Sequence, residues 1–90
     1  MQKYKIQIPE SVVKWLGKHF NKTQIKNWYK KVKKLEEHPQ IHGKPLRRPA
    51  AGIWEFKFDK RWRTYYEIDH QNKIVKIKVI DHKDMQPKIR

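Results

Sequence analysis

The 90-residue sequence predicts an α+β fold: an early strand, a helix pair, then a three-stranded antiparallel meander, with both helices on one face of the sheet. Two observations carry this. Ile25, Trp28, Tyr29, Val32 and Leu35 recur at helical spacing, and three later segments alternate apolar with polar residues across short polar turns. Strands joined that briefly must run antiparallel, and a sheet with one apolar face needs the helices to cover it.

The first element is "YKIQIP", in which Tyr4, Ile6 and Ile8 alternate with polar residues before Pro9, as in a short strand. Proline suits a helix start, and Val12, Val13, Leu16 and Phe20 fall near helical spacing after it, although Gly17 weakens the helix. Asn21 and Gln24 have the spacing of a capping box, so a second helix begins there and ends before Pro39. The stretch "HPQIHGKPLRRPAAG" holds three prolines and two glycines and is expected to be a loop. The meander strands are Ile53 to Phe58, Trp62 to Ile68 and Ile74 to Ile80. The whole chain, 1–90, is expected to be one domain, with 83–90 as a flexible tail.

Composition narrows the function. Lys and Arg number 23 against 9 Asp and Glu, a net +14 that points to a polyanionic partner: RNA, DNA, an anionic membrane or an acidic protein. Basicity alone does not choose among them. The absence of cysteine removes disulfides and thiolate metal sites, and the histidines show no HxH spacing, so no metal is expected. No apolar run approaches the ~18 residues of a membrane span, which makes a cytoplasmic protein the expectation.

Strand parity sorts the meander into two faces. Trp54, Phe56 and Phe58, then Trp62, Thr64, Tyr66 and Ile68, then Val75, Ile77 and Val79 are assigned to the covered face. Glu55, Lys57, Arg63, Tyr65, Glu67, Lys76, Lys78, Ile80 and His82 fall on the other. That wet face reads in two ways. It is the polar outside of a half-covered sheet, with Glu and Lys paired across strands. That is the commoner case for such a face. The functional alternative is a groove suited to phosphodiester chemistry, with cations to stabilise a phosphorane, a carboxylate to take a proton and a histidine, a residue type that titrates near neutrality. Beside it, the loop cations Lys44, Arg47 and Arg48 would clamp a phosphate backbone, and Tyr65 would offer a stacking surface. Lysines 22, 26, 30, 31, 33 and 34 on the second helix are either a solvated face or a widening of that footprint.

The run "GKPLRRPAAGIWEFKFDKRWRTYYEIDHQNKIVKIKVIDHKD" resembles the RelE/ParE superfamily of toxin-antitoxin toxins. It carries a leucine-arginine loop, a glycine and aromatic before the next strand, a "YRxxYEID"-like strand, and an apolar strand ending near a histidine and basic residues. The likeness is strongest over residues 40–84, and the preceding strand and helix pair match the family's order. It implies a RelE-like domain that cuts messenger RNA in the ribosomal A site without metal or small-molecule cofactor, the ribose 2′ oxygen attacking the adjacent phosphorus.

By position, the resemblance makes Arg63 the arginine at the scissile phosphate, Lys57 the second of two functional lysines and Arg47 the RNA-binding loop arginine. His82 becomes the acid or base of some branches, with Lys83 as a nearby basic residue. Glu55 stands where the family has its first lysine, and no tyrosine follows the last basic cluster. The expected catalytic set is therefore Arg63, His82, Lys57 and Glu55, with Glu55 as base. The expected RNA-contacting set is Lys44, Arg47, Arg48, Arg61, Tyr65, Lys76, Lys78 and Lys83. The resemblance also implies an antitoxin with an acidic segment that covers the groove. Two other functions stay open: a ParE-like poison of DNA gyrase, which shares the fold, and a non-catalytic RNA-binding module.

Overall fold

The computed structural model describes residues 3–46 and 52–82. Arg47, Arg48, Lys83 and the tail 83–90 lie outside them. The order is β1 (Lys5–Gln7), α1 (Glu10–His19), α2 (Lys22–Lys34), β2 (Lys44–Pro45), β3 (Ile53–Phe58), β4 (Trp62–Asp69) and β5 (Ile74–His82). The five strands form one sheet in the order β1-β5-β4-β3-β2. β1 runs parallel to β5, and every other neighbour is antiparallel. No helix among the described residues is long and apolar enough to cross a membrane.

Local chemistry sets the helix ends. Pro9 caps α1 through its carbonyl, which accepts from the Val12 and Val13 amides at 3.0 and 3.2 Å. At α2 the predicted capping box is formed: Asn21 Oδ1 accepts from the Gln24 amide at 2.8 Å, and Gln24 Oε1 accepts from the Asn21 amide at 3.0 Å. Only Phe20 and Asn21 separate the helices, so they fold back on each other. Phe20 contributes its ring to the core as it turns the chain.

The core lies between this hairpin and the sheet. Val12, Leu16, Phe20, Trp28, Val32 and Leu35 meet Phe56, Phe58, Tyr66, Val75, Ile77 and Ile80 there. One polar contact fixes the docking of α2: Trp28 Nε1 donates to Thr64 Oγ1 at 2.8 Å, both residues fully buried. Each satisfies the other, so neither pays the desolvation cost of an unpaired buried polar group. Tyr66 reaches through the same layer and donates to the Pro39 carbonyl at 2.6 Å, pinning the segment that leads to β2. At the β4–β5 turn, Asp69 accepts from the amide and side chain of Asn72, and those bonds hold its carboxyl below the usual range.

Two expectations need correction. Within the stretch expected to be loop, Lys44 and Pro45 form a short edge strand opposite Glu55 and Trp54, and proline is tolerated at such an edge. The other correction is to strand parity in β5. The register slips between Tyr65, opposite Val79, and Tyr66, opposite Ile77, leaving Lys78 as an extra, bulged residue. Beyond the bulge the faces exchange. Ile80 is buried in the core, while Val79 is 47% exposed on the outer face.

Candidate functional site on the outer sheet face

The alternation of β3 and β4 delivers the expected residues to one surface. Glu55 and Lys57 from β3 share the outer face with Arg63, Tyr65 and Glu67 from β4, with Lys57 opposite Arg63 and Glu55 opposite Tyr65. Lys44 joins them from β2, opposite Glu55. Lys76 stands opposite Glu67, and the bulged Lys78 reaches that carboxylate, with Nζ 3.2 Å from Oε1. Lys76, Lys78 and Glu67 thus form a charge group at one end of the face in which one carboxylate offsets one of two lysines. Arg61 lies exposed in the β3–β4 turn.

At the other end cations dominate. Arg63 Nη1 lies 3.5 Å from Glu55 Oε2, a diagonal contact between the two strands. Although it belongs to the outer face, Glu55 is only 8% exposed, and its Oε2 makes no hydrogen bond. The two facts are consistent: at 3.5 Å the guanidinium attracts the carboxylate without the short, aligned geometry of a hydrogen bond. A buried carboxylate oxygen with an unused lone pair therefore sits beside a guanidinium, and that lone pair can accept a proton.

The sequence reading missed two residues here. Lys60, within the turn "DKR", lines a recess of about 30 Å³ together with Lys57, Trp62 and Arg63. Three cations meet at that recess. Lys60 and Asp59 both hold left-handed backbone, at φ 60° and 52°, which side chains other than glycine rarely adopt. A bare turn signal does not reveal that such a turn carries a lysine toward the strand cations. The second missed residue is Asp81, which the bulge moves to the outer face opposite Arg63.

The same bulge corrects the placement of His82. It pairs with Trp62 rather than joining Arg63, and the rings meet edge to face with centroids 4.8 Å apart. Trp62 belongs to the aromatic layer beneath the helices, in contact with Trp15 and Phe20. His82 accordingly lies on the helix side of β5. Among the described residues, no group of three or more histidines and carboxylates is arranged to hold a metal.

Comparison with known proteins agrees with this architecture. The model of the ParE toxin family of the type II toxin-antitoxin system parDE matches residues 8–87. The toxin-antitoxin complex RelBE2 from Mycobacterium tuberculosis is similar at 27% identity and a TM-score of 0.72, over 92% of this chain and 94% of that one. A mutant of the Escherichia coli toxin RelE in the free state is 18% identical with a TM-score of 0.69, over 88% of this chain and 82% of that one. The archaeal RelE–RelB complex from Pyrococcus horikoshii is 17% identical with a TM-score of 0.67, over 92% and 98%. No curated protein matches significantly. Helix hairpin, mixed sheet and family match together define a toxin of a type II toxin-antitoxin system. The chain belongs to the ParE toxin family, within the RelE/ParE superfamily.

Proposed function

We propose that this toxin cleaves messenger RNA at the ribosome, using the outer face of β3 and β4. The observation that carries the reading is the pairing of Glu55 Oε2 with Arg63 Nη1 at 3.5 Å, beside the recess lined by Lys57 and Lys60. A phosphate in that recess would meet three cations, and the charge growing on a phosphorane is what such cations stabilise. Glu55 would accept the proton of the ribose 2′ hydroxyl as its oxygen attacks phosphorus. The bond from phosphorus to the 5′ oxygen then breaks, leaving a 2′,3′-cyclic phosphate. The Lys57 ammonium would supply the proton for the departing oxygen. His82, on the helix side of its strand, takes no part in this arrangement. An antitoxin with an acidic segment would silence the toxin by covering the same cations.

Sequencing of RNA ends after induction tests the reading. Wild-type toxin should produce cuts that depend on the ribosome, and Arg63→Ala and Glu55→Ala should each abolish them. If both variants cut messages as the wild type does, the assignment is wrong. The match to the ParE family favours a second reading, poisoning of DNA gyrase. It predicts double-strand DNA breaks with message lengths unchanged.

A further inference from the structure

A second cationic feature lies across Lys57 from the recess. The β2–β3 register pairs Lys44 with Glu55 and Pro45 with Trp54, so one continued strand would bring His42 opposite Lys57. The chain departs from β3 before that point. The gap is a cleft of about 310 Å³, whose lining includes Lys31 and Lys34 from α2, Ile41, His42, Lys44 and Lys57. Glu55 is the carboxylate at its border, and Arg63 already attracts it. The cleft therefore presents four ammonium groups to an incoming ligand.

We infer that this cleft is a second phosphate seat, holding the nucleotide next to the one at the recess; the inference rests on the RNA reading above. Lys57 lines both cavities, so a single strand passing over it would place one phosphate on each side. The cations in the cleft are lysines, which bind phosphate as point charges and lack the planar fork that guanidinium offers a carboxylate. Lys31 also closes the exposed edge of β3 to an added peptide strand, because its Nζ donates to the Lys57 carbonyl at 2.7 Å. Ile41, 72% exposed at the rim, gives the sugar or base an apolar contact. The lining is dominated by lysine ammonium groups, and contacts of that kind read the backbone and not the sequence.

The test measures binding of a single-stranded oligonucleotide carrying deoxyribose at each position, which cannot be cut by 2′ attack, across a salt series. Lys31→Ala with Lys34→Ala should lower the slope of log affinity against log salt by about 0.7, the value for one phosphate contact of a single strand. Lys34→Glu, which leaves the Lys31 contact in place, should weaken binding far more than Lys18→Glu, a change of equal charge on α1. Equal losses in those two variants would mean only the general field is felt, and the inference would fall. It would fall too if poly-glutamate, and not the oligonucleotide, lost affinity on Lys34→Glu, since the cleft would then be a carboxylate site. A reduced slope in a toxin that cuts no message would sustain the seat and sink the nuclease reading. An unchanged slope in a toxin that cuts would do the reverse.

Discussion

Arg63 and Glu55 do not face each other in the strand ladder, yet Arg63 Nη1 approaches Glu55 Oε2 to 3.5 Å because the two side chains lean diagonally across the same face. The contact shapes the site in two ways. It gives a nearly buried carboxylate a counter-charge, and it holds the guanidinium over the strands instead of letting it range through solvent. Arg63→Ala should therefore destabilise the fold by about 2 kcal/mol, below the ~3–5 kcal/mol of a fully buried pair because the arginine is partly solvated. Adding Glu55→Gln should restore part of that loss, giving a coupling of about 1 kcal/mol in a double-mutant cycle followed by denaturant unfolding. Strictly additive losses would show that the two groups do not interact.

Gly43 is required by the close approach of Tyr66. A Cβ built there would collide with the Tyr66 hydroxyl and come within 2.8 Å of the Glu55 carbonyl. Neither can retreat: the hydroxyl is committed to the Pro39 carbonyl, and the carbonyl belongs to a strand. Gly43→Ala should cost about 3 kcal/mol, the upper range for overpacking, and should also disturb the neighbouring cleft. Thermal unfolding of the variant measures the cost, and a change below about 0.5 kcal/mol, the scale of a neutral surface substitution, would contradict the tight contact.

The two faces of β3 and β4 were legible because side chains alternate with a period of two, and Trp54 to Phe58 and Trp62 to Ile68 follow it without a break. That alternation alone puts Glu55, Lys57, Arg63 and Tyr65 on one face. It failed in β5 because a bulge has no required residue: Lys78 is as ordinary on the outside of a regular strand as in a bulge. One inserted residue exchanged His82 for Asp81 opposite Arg63 and moved Ile80 into the core. β2 was hidden for a different reason, since two residues ending in proline carry no periodic signal at all. The depth at which Glu55 is buried depends on neighbours from several strands, which local pattern does not specify.

Gly17 presents the opposite case from Gly43. It lies exposed inside α1, and an added Cβ would meet nothing within 4 Å. Gly17→Ala should stabilise the protein by about 1 kcal/mol through helix propensity alone. In a domain of this size that corresponds to a rise of about 4–8 °C in melting temperature. A fall would mean that the position serves a partner or a packing contact instead.

Burial raises the Tyr66 phenol well above its ordinary value of 10.0. The folded state thus holds this proton where the unfolded chain releases it. The associated stability is complete below about pH 10 and declines as pH rises beyond it. Tyr66→Phe should flatten that alkaline decline. At neutral pH the same variant should cost about 1–3 kcal/mol, because the Pro39 carbonyl loses its donor. Unfolding free energies compared at neutral and alkaline pH separate the two effects, and an unchanged alkaline slope would refute the assignment.

On the proposed RNA reading, Lys60 would join stability to function in one residue. Its φ of 60° costs about 1 kcal/mol in a side chain that gains nothing from left-handed backbone, and glycine removes that cost. Lys60→Gly should accordingly raise the melting temperature. The same change removes one of the three cations around the recess, so affinity for single-stranded RNA should fall and its salt slope should drop by about 0.7. Strained backbone of this kind persists where surrounding structure or function retains it. A variant that is more stable and binds RNA as tightly as the wild type would leave the lysine without a role in the recess; one that is more stable and binds more weakly would show that the turn carries its strain to position a charge.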